Sequence, residues 1–512
     1  MKRNTLTTAV LAGLTGVAGM AGVANAVNVN PDGLGQVLLF PYYTARGGNN
    51  TLISIVNTTE RGKAVKIRFI EAMNSREVLD FNIYMSPFDV WTTAIVPTEA
   101  GGAKIETNDT TCTVPYIFGD FGGEQAFLTF ELDDGGPSGA ERTASGYIEV
   151  IEMGTMLPVP DSAPLASSPS IIPWVTKHVN GVPRNCNIPV LAWTEGSGLP
   201  WIEGNTTFGF DTDIGASGGL FGSGSIINVN EGTMLTYNAT AVDGFWARGT
   251  TRHTQPDSLL PDLAAGNVTE SFVFDNGRLQ QNQWTAGVFA LNATLTLDRL
   301  MNEYVTDPDL NARTEWVLTF PTKRFHTDAE GGYVTPNNPI APFTNTWHRL
   351  AGGGLNLPCE TMEFRFWDRE ESEPARELGP PIVSPPPPPT ARPTFQLCKE
   401  ANVVRIGSDA PGQTEILKEP ARDGAFARLG FLNIPLPYED GWVRFDLSDI
   451  PGAGRRVSVA ATTGTDGRVF VEGLPVIGFQ ASTVTNGQLA GGVLSNYGGT
   501  FNHRGTRSFI SS

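Results

Sequence analysis

No apolar run in the body of this chain approaches the roughly 18 residues that a membrane-spanning helix needs, so no transmembrane helix is expected. Positive charge is scarce too. Lys and Arg number 35 against 53 Asp and Glu, a formal net charge of −18. Such a chain repels nucleic acid and anionic membranes, which makes both poor partners, and no nucleic acid is expected. Several signatures of chemistry are also missing: there is no Walker loop, no dinucleotide-binding glycine fingerprint, no C-x-x-C and no H-E-x-x-H. The five histidines, His178, His253, His326, His348 and His503, lie far apart, at none of the spacings that hold a metal. Charged residues make up only 17% of the chain, against 58 Gly and 37 Pro, a balance that favours turns and short strands over long helices.

What is present begins at the N-terminus. Lys2 and Arg3 precede an uncharged, Ala/Gly-rich run from Leu11 to Val23, and Ala24-Asn25-Ala26 follows. This is the pattern of a signal peptide over residues 1–26, cut before Val27. Export fixes the redox setting. The four cysteines, Cys112, Cys186, Cys359 and Cys398, then read as two disulfides. Three pairings are open, and sequence neighbours are favoured: Cys112–Cys186 and Cys359–Cys398.

The body reads as mainly β, in antiparallel sandwich-like sheets. Val37 to Phe40 is a strand that Pro41 should stop. At 64–70, Val65, Ile67 and Phe69 alternate with Lys66 and Arg68, which predicts one buried and one wet face. Glu124 to Leu132 and Ser145 to Met153 read as a hairpin around the polar tip Asp133-Asp134-Gly135-Gly136-Pro137. One helix is expected near 285–305. The divisions are an N-terminal β-sandwich over 27–195, a central β-rich region over 196–370, a polyproline loop or linker over 371–393 with five prolines from Pro385 to Pro389, which a Cys359–Cys398 bond would make an external loop, and a C-terminal β region over 394–512. The stretch Val27 to Phe40 either closes its own sheet or serves as a strand donated to another molecule.

Candidate chemistry is sparse. Gly215-Ala216-Ser217-Gly218-Gly219 matches G-x-S-x-G but lacks the preceding strand and following helix, so it reads as a glycine loop. His326-Thr327-Asp328 reads as ordinary strand-end residues. Glu149 and Glu152 fall on opposite faces of one strand, the wrong arrangement for a pair sharing one sugar. No cofactor is expected. Asp211, Asp213, Asp446 and Asp449 leave calcium open without completing a calcium-loop pattern. Trp174, Trp193, Trp201, Trp246, Trp284 and Trp347 could stack on glycans, core filling being the ordinary role.

Three stretches carry a resemblance. They are Asn74-Ser75-Arg76-Glu77-Val78-Leu79-Asp80-Phe81 running to Trp91, Thr314 to Phe325 (TEWVLTFPTKRF), and Gly473 to Phe479 with Leu494 to Gly498. Together they resemble an uncharacterised group of exported Gram-negative surface or envelope proteins. The resemblance implies export and a β-rich body and brings no catalytic residues. The resulting expectation is a non-enzymatic envelope or cell-surface protein with a structural, adhesive or assembly role, located in the periplasm, at the surface or outside the cell. Its partners would be other envelope proteins, copies of itself or surface glycans. A glycan-directed binding module or hydrolase is the alternative.

Overall fold

Alternation does produce strands at 64–70. Lys63–Glu71 and Glu77–Met85 pair antiparallel with Arg68 opposite Asp80. A computed structural model describes residues 26–511 apart from 167, 169, 195, 198, 200, 202–214, 372–393, 449–454, 459–468 and 489–493. The signal-peptide stretch, the five-proline run, Asp211, Asp213 and Asp449 therefore lie outside the described residues. The fold is mainly β, with few and short helices.

A seven-stranded sheet runs in the order Asn28–Val29, Thr240–Asp243, Val37–Thr44, Ser145–Thr155, Lys63–Glu71, Glu77–Met85, Cys112–Val114. A six-stranded sheet runs Thr233–Asn238, Leu220–Asn228, Asn49–Asn57, Val90–Pro97, Ala103–Glu106, Glu124–Ala126. The two share a core of Phe40, Ile55, Ile67, Phe69, Phe81 and Trp91. The strands Thr240–Asp243 and Leu220–Asn228 show that this sandwich extends past the expected boundary at 195. Val27 to Phe40 closes its own sheet, with Asn28 opposite Asp243 and Phe40 opposite Ile148. Pro41 does not stop its strand. It sits where the pairing with Ser145–Thr155 slips between Gly146 and Ile148, a bulge that needs no proline N–H.

The polar face of this sheet is not wet. Lys66 is 0% and Arg68 2% exposed. The helix Gly287–Leu295, Trp246 and Trp284 cover one part of that face, and Cys112, Met153 and Trp201 another. The charges survive burial by pairing. Lys66 meets Asp80 at 2.8 Å, and Arg68 meets Glu77 at 2.5 Å and Glu149. Alternation reports that two faces differ in chemistry, not that one of them is solvated.

Two five-stranded sheets form a second sandwich. One runs Thr394–Leu397, Glu360–Trp367, Asp440–Asp446, Arg299–Val305, Arg504–Thr506, and the other Leu432–Ile434, Ala401–Ile406, Ala312–Thr319, Ile477–Gln488, Leu494–Asn502. Trp316, Leu318, Phe364, Phe366, Val443 and Phe445 fill the space between them. Strands from both sides of 371–393 share these sheets, so that segment does not divide two domains. The back of the second sheet supplies Val317 and Phe479 to the first sandwich's core.

Two local expectations change. The helix ends at Leu295, and 299–305 is the strand Arg299–Val305. Thr294 and Thr296, β-branched and hydrogen-bonded back to Leu291 and Asn292, close the helix where strand alternation takes over. Ser145–Thr155 pairs with Val37–Thr44 and Lys63–Glu71 and makes no hairpin with Glu124–Ala126. Asp134, placed at a wet tip, is 0% exposed because Arg142 takes it at 2.7 Å. A hairpin does form at Glu270–Asp275 and Arg278–Gln283. Its two-residue loop, Asn276-Gly277, has φ of 46° and 79°, which an Asn-Gly pair tolerates best.

Candidate ligand-binding face

Cys112 bonds Cys186 and Cys359 bonds Cys398, leaving no free cysteine. Such bonds persist in oxidising compartments. Among the described residues no helix is long and apolar enough to cross a membrane, and no cluster of His, Cys, Asp and Glu could hold a metal ion.

Ser217 lies in a loop that runs straight into Leu220–Asn228, with Gly215, Gly218 and Gly219 at positive φ. Lys63 donates to its Oγ at 2.6 Å and to Glu152 at 2.7 Å. The ammonium is ion-paired and cannot take the serine proton. The backbone N–H groups of Ser217 and Gly218 donate to Glu152 at 3.0 and 2.7 Å, so neither can bind an oxyanion. The cluster is a clamp on a glycine loop. Glu149 and Glu152 do diverge: Glu149 reaches Arg68, and Glu152 reaches Lys63.

His326 is not a strand-end residue. It lies buried in the short helix Arg324–Thr327, hydrogen-bonded to Asn292 at 2.6 Å, while Asp328 faces Asn74 and Arg76. Burial pushes the His326 and His503 imidazoles down to about 4. Asp446 is held by Arg444 at 3.0 Å and Arg299 at 3.5 Å. Of the six tryptophans named from sequence, Trp201, Trp246, Trp284 and Trp347 are core residues, and Trp174 and Trp193 are half-buried.

The exposed aromatic feature lies elsewhere. Glu360–Trp367 and Asp440–Asp446 pair so that Glu363 faces Asp446, Phe364 faces Phe445, Arg365 faces Arg444, Phe366 faces Val443 and Trp367 faces Trp442. Read antiparallel, EFRFW meets DFRVW, like against like. The period of two sends Phe364, Phe366, Val443 and Phe445 inward and leaves Trp367, Trp442 and both arginines on the outer face. The indole rings stack with centroids 4.1 Å apart and planes 14° apart. Arg365 and Arg444 lie over the Trp367 ring at 5.0 and 5.8 Å. Trp442 is 36% exposed, and with one ring face against Trp367 it offers solvent the other. Beside it on the next strand stands Glu303, exposed and in no ion pair among the described residues.

Neither Trp367 nor Trp442 is among the tryptophans singled out from the sequence. The signal was the near-palindrome of the two strands. Arg365 stands directly opposite Arg444, and Asp446 takes the Arg444 guanidinium at 3.0 Å.

Comparison of the chain with protein-family models, with curated proteins and with solved structures returned no match.

Proposed function

We propose that this chain is an exported, non-enzymatic surface protein that adheres by binding glycans on the outer face of the Trp367–Trp442 sheet. The observation that carries the reading is the stacked, solvent-facing indole pair on an otherwise polar strand face. A sugar ring presents a patch of C–H groups that packs on an indole face while its hydroxyls reach polar neighbours. Trp442 supplies the face, Glu303 a hydroxyl acceptor, and Arg365 with Arg444, the latter shared with Asp446, offers guanidinium donors to sugars bearing carboxylates. Among the described residues Glu303 is the one acid of this face left uncommitted beside Trp442, and binding is therefore favoured over hydrolysis, which needs two carboxylates about the scissile bond. Export rests on the N-terminal pattern, the two disulfides and the resemblance to exported Gram-negative surface proteins. A glycan microarray tests the reading. Wild-type protein should label acidic glycans, and Trp442→Ala, with an unchanged thermal transition, should not. Equal labelling by both proteins, or none by the wild type, contradicts it.

A further inference from the structure

A cleft of about 350 Å³ opens where the two sandwiches meet the N-terminal segment, within the size range of small-molecule sites. Apolar side chains, Leu295, Leu300 and Phe479 among them, and the amides of Asn30, Asn238 and Asn502 line it. Phe479 stacks on Tyr237 at 4.9 Å, so the cleft's shape is tied to the contact between the sandwiches. Arg507 also lines it.

Arg507 is the anomaly. Arg68, Arg142 and Arg324 are deeper, and each meets carboxylates. Among the described residues Arg507 makes a single hydrogen bond, Nη2 to the Thr294 carbonyl at 3.1 Å, and its Nε is buried without a partner. Among the described residues no carboxylate pairs with it. A partly desolvated guanidinium that feels Asp275 and Asp298 only at a distance, with no direct ion pair, is costly to keep. His503, the other ionisable ring in the wall, adds no charge. Its Nε2 donates to the Val317 carbonyl at 3.0 Å and its Nδ1 accepts from Asn302 at 3.1 Å, which defines the neutral ring.

We propose that this cleft binds a small organic monocarboxylate, its carboxylate on the Arg507 guanidinium and its body against Leu295, Leu300 and Phe479. A guanidinium fork matches a carboxylate in shape and charge. One cation balances one negative charge, and the chain's net charge of −18 works against a polyanion such as phosphate. The lining suits an apolar body or a hydroxylated one held by the amides. The site shares no residue with the Trp367–Trp442 face and does not depend on the glycan reading.

The test uses the full chain and two matched pairs of probes at millimolar concentration: benzoate against benzamide, and glucuronate against glucose. Binding is read by calorimetry and thermal shift at constant ionic strength. One or both carboxylates should bind and raise the melting temperature, and their neutral counterparts should not. Benzoate alone identifies an apolar acid, and glucuronate a sugar acid. Arg507→Gln should weaken binding by about tenfold to a hundredfold, and Arg507→Lys should recover part of the loss. If Arg507→Gln does not fold, the acid–neutral comparison on the wild type decides alone. Binding of neither acid, equal binding of the neutral partners, tighter binding of inorganic phosphate, or undiminished binding by folded Arg507→Gln would each overturn the proposal.

Discussion

Arg324 donates from Nη1 to the backbone carbonyl of Ser75 at 3.3 Å, joining residues 249 positions apart. The stretches NSREV and TFPTKRF meet at this bond. Around it, Glu71 accepts the backbone N–H groups of Met73, Asn74 and Arg76 at 2.7, 2.8 and 3.0 Å and the guanidinium of Arg142 at 2.9 Å. Arg76 spans to Asp328 at 3.2 Å. These stretches are thus the polar seam between the sandwiches, and their role is to fix how the halves dock.

The seam should be costly to break from one side. Arg142→Met leaves Glu71 buried without its cation and Asp134 with Arg76 alone at 3.4 Å, and should lose about 3–5 kcal/mol of stability in urea unfolding. Adding Glu71→Gln to that background should cost less than Glu71→Gln alone, because the two residues share one interaction. Additive losses would contradict the coupling.

The buried carboxyls Glu400 and Glu315 should make stability fall as pH rises from about 4.5 to 8, while the buried imidazoles His326 and His503, held down to about 4, act in the opposite sense below about 6.5. Burial pushes the Glu400 carboxyl up to about 8 against the pull of Lys323 and Arg324, and Glu315 up to about 7 against hydrogen bonds from Ile416 and Leu417. Over that window the folded chain keeps protons that the unfolded chain has released, which favours unfolding as pH climbs. Glu419 acts in the opposite sense. Burial would raise its carboxyl, but Lys399 and Arg46 hold it down at about 2, so its contribution is present above about 4.5 and lost as pH falls toward 2. Unfolding of Glu400→Gln across this range should show a flatter decline toward pH 8 than the parent. An identical slope would contradict the assignment.

Cys359–Cys398 closes a loop with a sequence separation of 39, and both cysteines are buried beside Trp347 and Leu429. Replacing the pair by serine should cost roughly 4 kcal/mol by chain entropy, read from guanidinium unfolding. An unchanged midpoint would show that the bond does not constrain the unfolded chain.

Intact-mass measurement on native protein should show a chain beginning at Val27, as the Lys2–Ala26 pattern predicts. Val27 is 1% exposed, and its N–H donates to the Glu270 carbonyl at 2.8 Å. Recovery of the full-length chain from cytosol would defeat the export reading.

Much of the fold is legible in strand alternation and turn chemistry, as Lys63–Glu71 and Asn276-Gly277 illustrate. What was not legible depends on distant partners. Lys66 and Arg68 read as wet because nothing local announces Glu149, 81 residues from Arg68, or the helix and tryptophans that cover them. Asp134 reads as a turn tip because its partner Arg142 lies beyond the turn. The ligand face was legible only by laying EFRFW against WVRFD in reverse, since neither strand alone tells which aromatic ring meets solvent. Arg507 carried no signal at all. Its lack of a direct ion pair among the described residues is a property of the assembled cleft.

The most direct measurement is affinity electrophoresis in gels containing an acidic polysaccharide, comparing wild type, Trp442→Ala and Trp442→Phe. The stack with Trp367 contributes roughly 0.5–1.5 kcal/mol, so both variants should stay folded. The account predicts retarded migration of the wild type, partial retardation of Trp442→Phe, and migration of Trp442→Ala as in a plain gel. Retardation of folded Trp442→Ala equal to that of the wild type would contradict it.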